Sequence, residues 1–409
     1  MALIDRFFAR VFTRGQLTVI HADGRQAVFG TPDPDLPPVT IRFARGAIGR
    51  IVRDPATGTA EAFMDGSMTI EQGDILGLLS LATASNPWET GSSALDGSLF
   101  TRALAAARFR IDRINMARRS KRNVSHHYDL NDRLYDLFLD RDRQYSCAYY
   151  TDPANSLEQA QVDKKAHIAA KLALKPGMRV LDIGCGWGGM ALYLHRTTGA
   201  EVLGVTLSEE QLKVARRRAE EAGVADKVKF ELIDYRALTG TFDRIVSVGM
   251  FEHVGTLHYR TFFNKCRALL ADDGVMLIHT IGRIDGPGVT DKFTAKYIFP
   301  GGYIPALSEI ARGYEGVRLI CTDVEVLRLH YALTLKDWYD RTLAVKDDLV
   351  ALYDERFYRM WTFYLAGAYV SFQYNNMVNY QLQFAADRHA LPITRDYMGE
   401  AEARLQALG

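Results

Sequence analysis

The spacing of apolar and polar positions changes character twice along the chain. Residues 3–12 set Leu3, Ile4, Phe7, Phe8, Val11 and Phe12 near helical spacing with Arg6 and Arg10 between them, which predicts a short amphipathic helix. Such a helix either packs on its own domain or lies in a membrane interface. From 16 to 74, short β-rich runs (LTVIHA, AVFG, VTIRFA, TGTAEAFMDG, SMTI) are broken by Gly, Pro and Asp, the pattern of a small α+β module. From 167 onward strands and helices alternate. Strands are expected at 179–183, 201–205, 228–232, 242–248 and 274–280, and helices after the first of them and at 208–222 and 258–270. That alternation predicts an α/β fold with a parallel sheet covered on both faces. The segment 334–375 reads as helical and aromatic, and a last strand is expected at 378–384.

Composition narrows the class. The chain has 409 residues, 48% of them hydrophobic, enough for two or three domains with a large core. No run of ~18 apolar residues predicts a spanning helix, and the N-terminus lacks the small-residue site of a signal peptide. Cys147, Cys185, Cys266 and Cys321 are widely spaced with no metal-site pairing, so a reducing cytoplasm and no structural metal are expected.

The net charge of +1 conceals a local polarity. Residues 54–101 contain seven acids and no Lys or Arg, whereas 102–122 contain eight bases and the single acid Asp112. The basic stretch reads as a connector into a second domain from about 123. It is either a solvated helix face or a site for anionic phospholipid head groups; no nucleic-acid module accompanies it.

The candidate chemistry begins at Gly184-Cys185-Gly186-Trp187-Gly188-Gly189, directly after the first strand of the alternating region and before a helix. Glycines there allow close approach of backbone to a ligand at the carboxyl ends of the strands. The spacing satisfies GxGxxG, but two features disfavour a dinucleotide. Asp182 stands where a carboxylate opposes a pyrophosphate and suits an ammonium. The second strand ends in Thr206, where a dinucleotide fold offers an acid to the ribose.

VLDIGCGWGG resembles the first motif of class I S-adenosylmethionine (SAM) methyltransferases. Further blocks narrow the resemblance: YSCAYY (145–150), GVTLSEEQ (204–211), FDRIVSVGMFEHVG (242–255), LIHTIG (277–282) and LRLHYALTLKDWYDR (327–341). In order and spacing they resemble the cyclopropane fatty acid synthases and the related mycolic acid methyltransferases, over about 125–384. The extra N-terminal module resembles the phospholipid-acting branch.

The resemblance implies a Rossmann-like SAM-methyltransferase domain with helical lid insertions over 123–409, and a lipid- or membrane-interaction domain over 1–101. It places Tyr145 and Ser146 at the methionine end of SAM, whose ammonium Asp182 suits, Gly184 and Gly186 in the backbone cradle, Thr206, Leu207 and Gln211 at the ribose, and Tyr235 beside the adenine. It implies a bound bicarbonate as base, held by Cys147, Glu252, His279, Tyr331 and the backbone of Ile281. His126 and His127 match a segment near the cofactor, and His253 is a weaker candidate that orients its loop.

An isolated alkene is a weak nucleophile. It must be pressed in line against the SAM methyl in a dry pocket, and a base must then take a proton from the new methyl group for a ring to close. The implied substrate is the cis-unsaturated acyl chain of a membrane phospholipid, with aromatic residues of 353–374 lining an apolar tunnel or simply forming core. The expected setting is cytoplasmic with peripheral contact to the inner face of the membrane, and the resemblance is compatible with a homodimer. Three alternatives stand beside this reading: methyl-branched or methylene products, a non-catalytic lipid-binding protein, and a small-molecule O- or N-methyltransferase.

Overall fold

Helix α1 (Leu3–Val11) turns Phe8 inward while Phe7 stays exposed. The Phe8 ring stacks on Phe43 at 6.2 Å and tilts against Phe29 at 5.6 Å, so the helix packs on strands of its own module. Those strands are β1 (Leu17–Ile20), β2 (Gln26–Phe29), β3 (Val39–Phe43) and β4 (Met68–Gln72), in the order β2-β1-β3-β4, with only the β1–β3 pair parallel. The structure, a computed structural model, describes residues 3–54, 57–91 and 132–408. The basic stretch 102–122 and His126 and His127 lie outside the described residues.

One β-rich run is not a strand. The segment TGTAEAFMDG forms helix α3 (Gly58–Met64), following helix α2 (Ala47–Arg53). Ala60, Ala62 and Met64 are buried there, and a string of Ala, Glu and Met favours helix over strand once packing decides. Helix α4 (Ile75–Ala84) is capped by Asp74, whose Oδ1 accepts from Gly77 N at 2.7 Å. Its sequence ILGLLSLATA is apolar around most of its circumference, so it needs cover on more than one side.

The described chain divides into two compact units. The first joins the residues up to 91 with Thr290–Pro300 and Leu335–Met377; the second holds 132–289, Gly301–Thr334 and Val378 onward. This differs from the expectation of one uninterrupted domain after 123.

In the second unit, α5 (Asp132–Phe138) and α6 (Leu157–Lys171) precede the alternating run: β5 (Arg179–Ile183), α7 (Gly189–Thr198), β6 (Glu201–Thr206), α8 (Glu209–Glu221), β7 (Val228–Leu232), β8 (Phe242–Val248), α9 (Tyr259–Leu269) and β9 (Leu270–Arg283). Helix α10 (Leu307–Tyr314), β10 (Ile320–Val326) and the first turn of α11 (His330–Ala344) follow. Next come α12 (Lys346–Leu352) and α13 (Glu355–Gln373) of the first unit, then β11 (Met377–Ala385) and α14 (Asp396–Gln406).

The large sheet runs β10-β11-β9-β8-β5-β6-β7. Its pairs β8–β9, β5–β8, β5–β6 and β6–β7 are parallel as the alternation predicts, but β10 and β11 pair antiparallel at one edge. Both faces are covered. Leu181 and Ile183 of β5 enter one core with Phe251, Phe262 and Phe384, and Val180 enters the other with Ala169, Leu194 and Ala215. Strand order reverses at β5, whose neighbours are β6 and β8, so a crevice is expected beyond its carboxyl end.

Within the first unit, α13 carries much of the aromatic run. Phe363 packs on Phe63 at 6.3 Å and on Phe293 at 4.9 Å, and buried Trp361 stacks on Phe357. The Thr294–Ile298 turn, π-helical, is tied to α3 through Glu61, which accepts from Lys296 Nζ and Tyr297 Oη, each at 2.8 Å.

Candidate active site

The glycine turn after β5 is shaped by positive backbone angles. Gly184 (φ +83°) lies so close to Met250 that a Cβ would meet its side chain at 2.8 Å, and Gly186 (φ +54°) faces open space. Asp182, on β5 two residues before the turn, is buried and its Oδ2 has no hydrogen-bond partner among the described residues. Burial pushes its carboxyl up to about 7, against the opposing pull of Lys164. A buried carboxylate oxygen left open beside a glycine cradle fits an ammonium group, as the methionine end of SAM carries.

At the end of β6, Thr206 Oγ1 donates to Gln211 Oε1 at 3.0 Å and accepts from Ser208 N at 3.1 Å. Ser208 in turn caps α8. Leu207 between them is 58% exposed, and the backbone there is held in a fixed curve at the strand end. Tyr235 follows β7 in a single 3-10 turn capped by Asp234, with its ring edge-on to Phe262 at 5.5 Å. Burial raises its phenol well above the usual range.

The segment 144–150 is pinned from two sides. Tyr145 packs edge-on to Tyr135 and Phe138, and Ala148 N donates to Thr334 Oγ1 at 3.0 Å. Tyr150 N donates to His330 Nδ1 at 2.9 Å. The Tyr149 ring lies between two parallel imidazoles, His167 at 4.1 Å and His330 at 4.7 Å. The segment that carries Cys147 is thereby tied to the first turn of α11, which carries Tyr331. Cys147 is buried, and desolvation raises its thiol far above the usual range, so it is a neutral S–H donor rather than a thiolate.

A second group forms at the carboxyl ends of β8 and β9. Glu252 Oε1 accepts from Ile281 N at 2.7 Å, while Oε2 has no partner among the described residues. Burial pushes this carboxyl up to about 7 although the Ile281 N–H pulls it down. His279 is buried and neutral, its pKa held well below the usual range by desolvation first and by Lys164 and Lys171 next. Its Nε2 lies 3.1 Å from Asn379 Nδ2 and its Nδ1 3.2 Å from Gln381 Nε2; a neutral imidazole accepts at only one of these nitrogens, so donation to an anion requires the amide at the other to yield.

Of the sequence candidates, Glu252, His279 and Ile281 are thus joined on β8–β9, and Cys147 and Tyr331 on the 144–150 segment and α11. Ser146 meets the first group at the β8 end, where a Cβ on Gly249 would lie 3.9 Å from its own Cβ. His253 follows Glu252 in a 3-10 turn and is held below its usual pKa by burial.

Sequence reasoning missed Lys164, Gln161, Asn379 and Gln381. Nothing local marks a lysine as buried, but the Asn379, Gln381, Gln383 alternation along an otherwise apolar strand is a readable signal of three amides on one face.

The chain matches the family model described as mycolic acid cyclopropane synthetase over residues 115–382. It belongs to that family. Within it, the chain is 38% identical over 336 residues to the cyclopropane-fatty-acyl-phospholipid synthase of Escherichia coli K12, covering 82% of this chain and 85% of that one. It is 41% identical over 286 residues to a probable fatty acid methyltransferase of Pseudomonas putida, covering 67% and 73%. The solved structure of the mycolic acid cyclopropane synthase CmaA1, complexed with SAH and CTAB, superposes with a TM-score of 0.61 at 34% identity, covering 64% of this chain and 97% of that chain. The second unit is accordingly a SAM-dependent methyltransferase of the cyclopropane synthetase family.

Proposed function

We propose that this enzyme methylates the cis double bond of acyl chains in membrane phospholipids and closes a cyclopropane ring with the help of bound bicarbonate. The observation that carries the reading is Glu252: a buried carboxyl with one oxygen fixed by Ile281 N–H and the other open. A carboxyl in that state can accept the O–H of a bicarbonate ion, with Cys147, Tyr331 and, once one of its amide neighbours yields, His279 as the donors to the remaining oxygens. Bicarbonate supplies the base for the methylated chain, and SAM supplies the methyl group. The protein's own residues bind and orient: Asp182 for the ammonium, Gly184 and Gly186 for close backbone approach, Thr206, Leu207 and Gln211 around the ribose, Tyr235 beside the adenine, Tyr145 and Ser146 at the methionine end. Burial of the Glu252 group keeps water out, which preserves the cationic chain for deprotonation.

A second reading, methyl-branched products, is favoured by the similarity to the Pseudomonas putida fatty acid methyltransferase. In the first reading the proton leaves the new methyl group and a ring closes; in the second it leaves a neighbouring chain carbon and gives a methyl-branched alkene.

Purified protein is incubated with SAM and liposomes of cis-monounsaturated phospholipid, and the acyl chains are examined by mass spectrometry and NMR. Ring methylene signals are expected. Methyl-branched chains would select the second reading, and no methyl uptake would overturn both.

A further inference from the structure

Lys164 on α6 is completely buried, at 0% exposure, and yet its Nζ contacts two neutral oxygens: Gln144 Oε1 at 2.8 Å and Ser146 Oγ at 2.9 Å. No carboxylate forms an ion pair with it among the described residues. One turn earlier on the same helix, Gln161 Nε2 donates to Gln144 O at 3.2 Å and Ser146 O at 3.1 Å. Two side chains of α6 thus grip the backbone and side chains of the segment that leads into Tyr145, Ser146 and Cys147. Burying an ammonium against neutral acceptors is costly, burial lowers the Lys164 pKa to about 7, and packing alone would be served better by an apolar side chain of the same length.

The hydrogen-bond arithmetic at Ser146 gives the lysine a purpose. An ammonium only donates, so Ser146 Oγ is the acceptor in their contact. The serine's own proton is then left to donate, and no acceptor takes it among the described residues. Ser146 is only 7% exposed and lies against the Gly249 turn at the end of β8, where the cofactor crevice opens. With Lys164 protonated, the hydroxyl is therefore a donor with a positive charge directly behind it. Asp182, with an open oxygen, offers the opposite chemistry in the same crevice and is within electrostatic reach of Lys164. An amino-acid moiety, with its ammonium and its carboxylate, matches that pair of groups.

We propose that Lys164 is a positioning residue for the cofactor: by donating to Ser146 Oγ it directs the serine proton to the carboxylate of the SAM methionine moiety and fixes that end of the ligand. This rests on the reading of Ser146 as a cofactor residue.

The test is calorimetry of the full chain with two probes, S-adenosylhomocysteine and its decarboxylated analogue, which keeps the ammonium and lacks only the carboxylate. The wild type is expected to prefer S-adenosylhomocysteine at least tenfold, and Lys164→Met and Lys164→Gln to lose most of that preference while binding the decarboxylated analogue within about twofold of the wild type. If both probes weaken together, Lys164 merely props the fold and the proposal is overturned; it is equally overturned if the wild type shows no preference, a result that needs no variant. Ser146→Ala separates the two readings. Preference lost in Ser146→Ala but kept in the Lys164 variants overturns the role of Lys164 alone, and preference kept in Ser146→Ala removes Ser146 from the cofactor site.

Discussion

Glu252 illustrates how a buried carboxyl costs stability. Its folded pKa, raised to about 7 by burial, lies above the ordinary carboxyl value, so the folded protein binds an extra proton between roughly pH 4.5 and 7. Its contribution to stability is therefore greatest below that window and falls as pH rises through it. Glu252→Gln keeps an acceptor for Ile281 N–H and carries no charge. Melting curves should show the variant gaining on the wild type from pH 4.5 to 7 and then holding a constant advantage, of the order of 3 kcal/mol at most. The same variant should lose ring formation by about a hundredfold or more while binding S-adenosylhomocysteine normally, read by product analysis and calorimetry. The sequence displayed Glu252, Cys147, His279 and Tyr331 only through their joint resemblance to a family pattern; singly each is an ordinary buried residue. Lys164 was invisible because the charge of a lysine argues for exposure, and only the three-dimensional path of α6 reveals its burial.

Among elements, the parallel strands were the most legible, since strands buried on both faces are continuous apolar runs. The helix Gly58–Met64 was misread as strand because seven residues carry too little periodicity to separate the two. The antiparallel β10–β11 edge was also hidden, as pairing direction depends on a connection through three helices, nearly all of it in the first unit. The coupling of the 144–150 segment to α11 is another relation that no local pattern encodes. It depends on Thr334 Oγ1, the acceptor for the buried Ala148 N–H. Thr334→Val preserves shape and strands that donor, so a loss of about 1–3 kcal/mol is expected in chemical denaturation. The 144–150 segment should lose its fixed seat on α11, and kcat should fall more than the affinity for S-adenosylhomocysteine.

For the whole molecule, charge distribution matters more than net charge. If the basic stretch serves lipid docking, Arg118, Arg119, Lys121 and Arg122 changed together to Gln should weaken cosedimentation with anionic liposomes. The difference should be large at low salt and shrink toward 0.5 M, because surface attraction is screened. Equal binding at low salt would leave the stretch as a solvated face.

The first unit also has an unusual relation to time. Its helix α4 is apolar around most of its surface, yet the chain that completes the unit, through α13, is synthesised close to three hundred residues later. At ~5–20 residues per second that interval is roughly 15–60 s, during which the nascent α4 segment has no finished core to join. The methyltransferase unit is unfinished over the same interval, because β11, which lies between β10 and β9 in its sheet, and α14 are made only after α13, so the newborn protein carries two incomplete cores until those elements emerge.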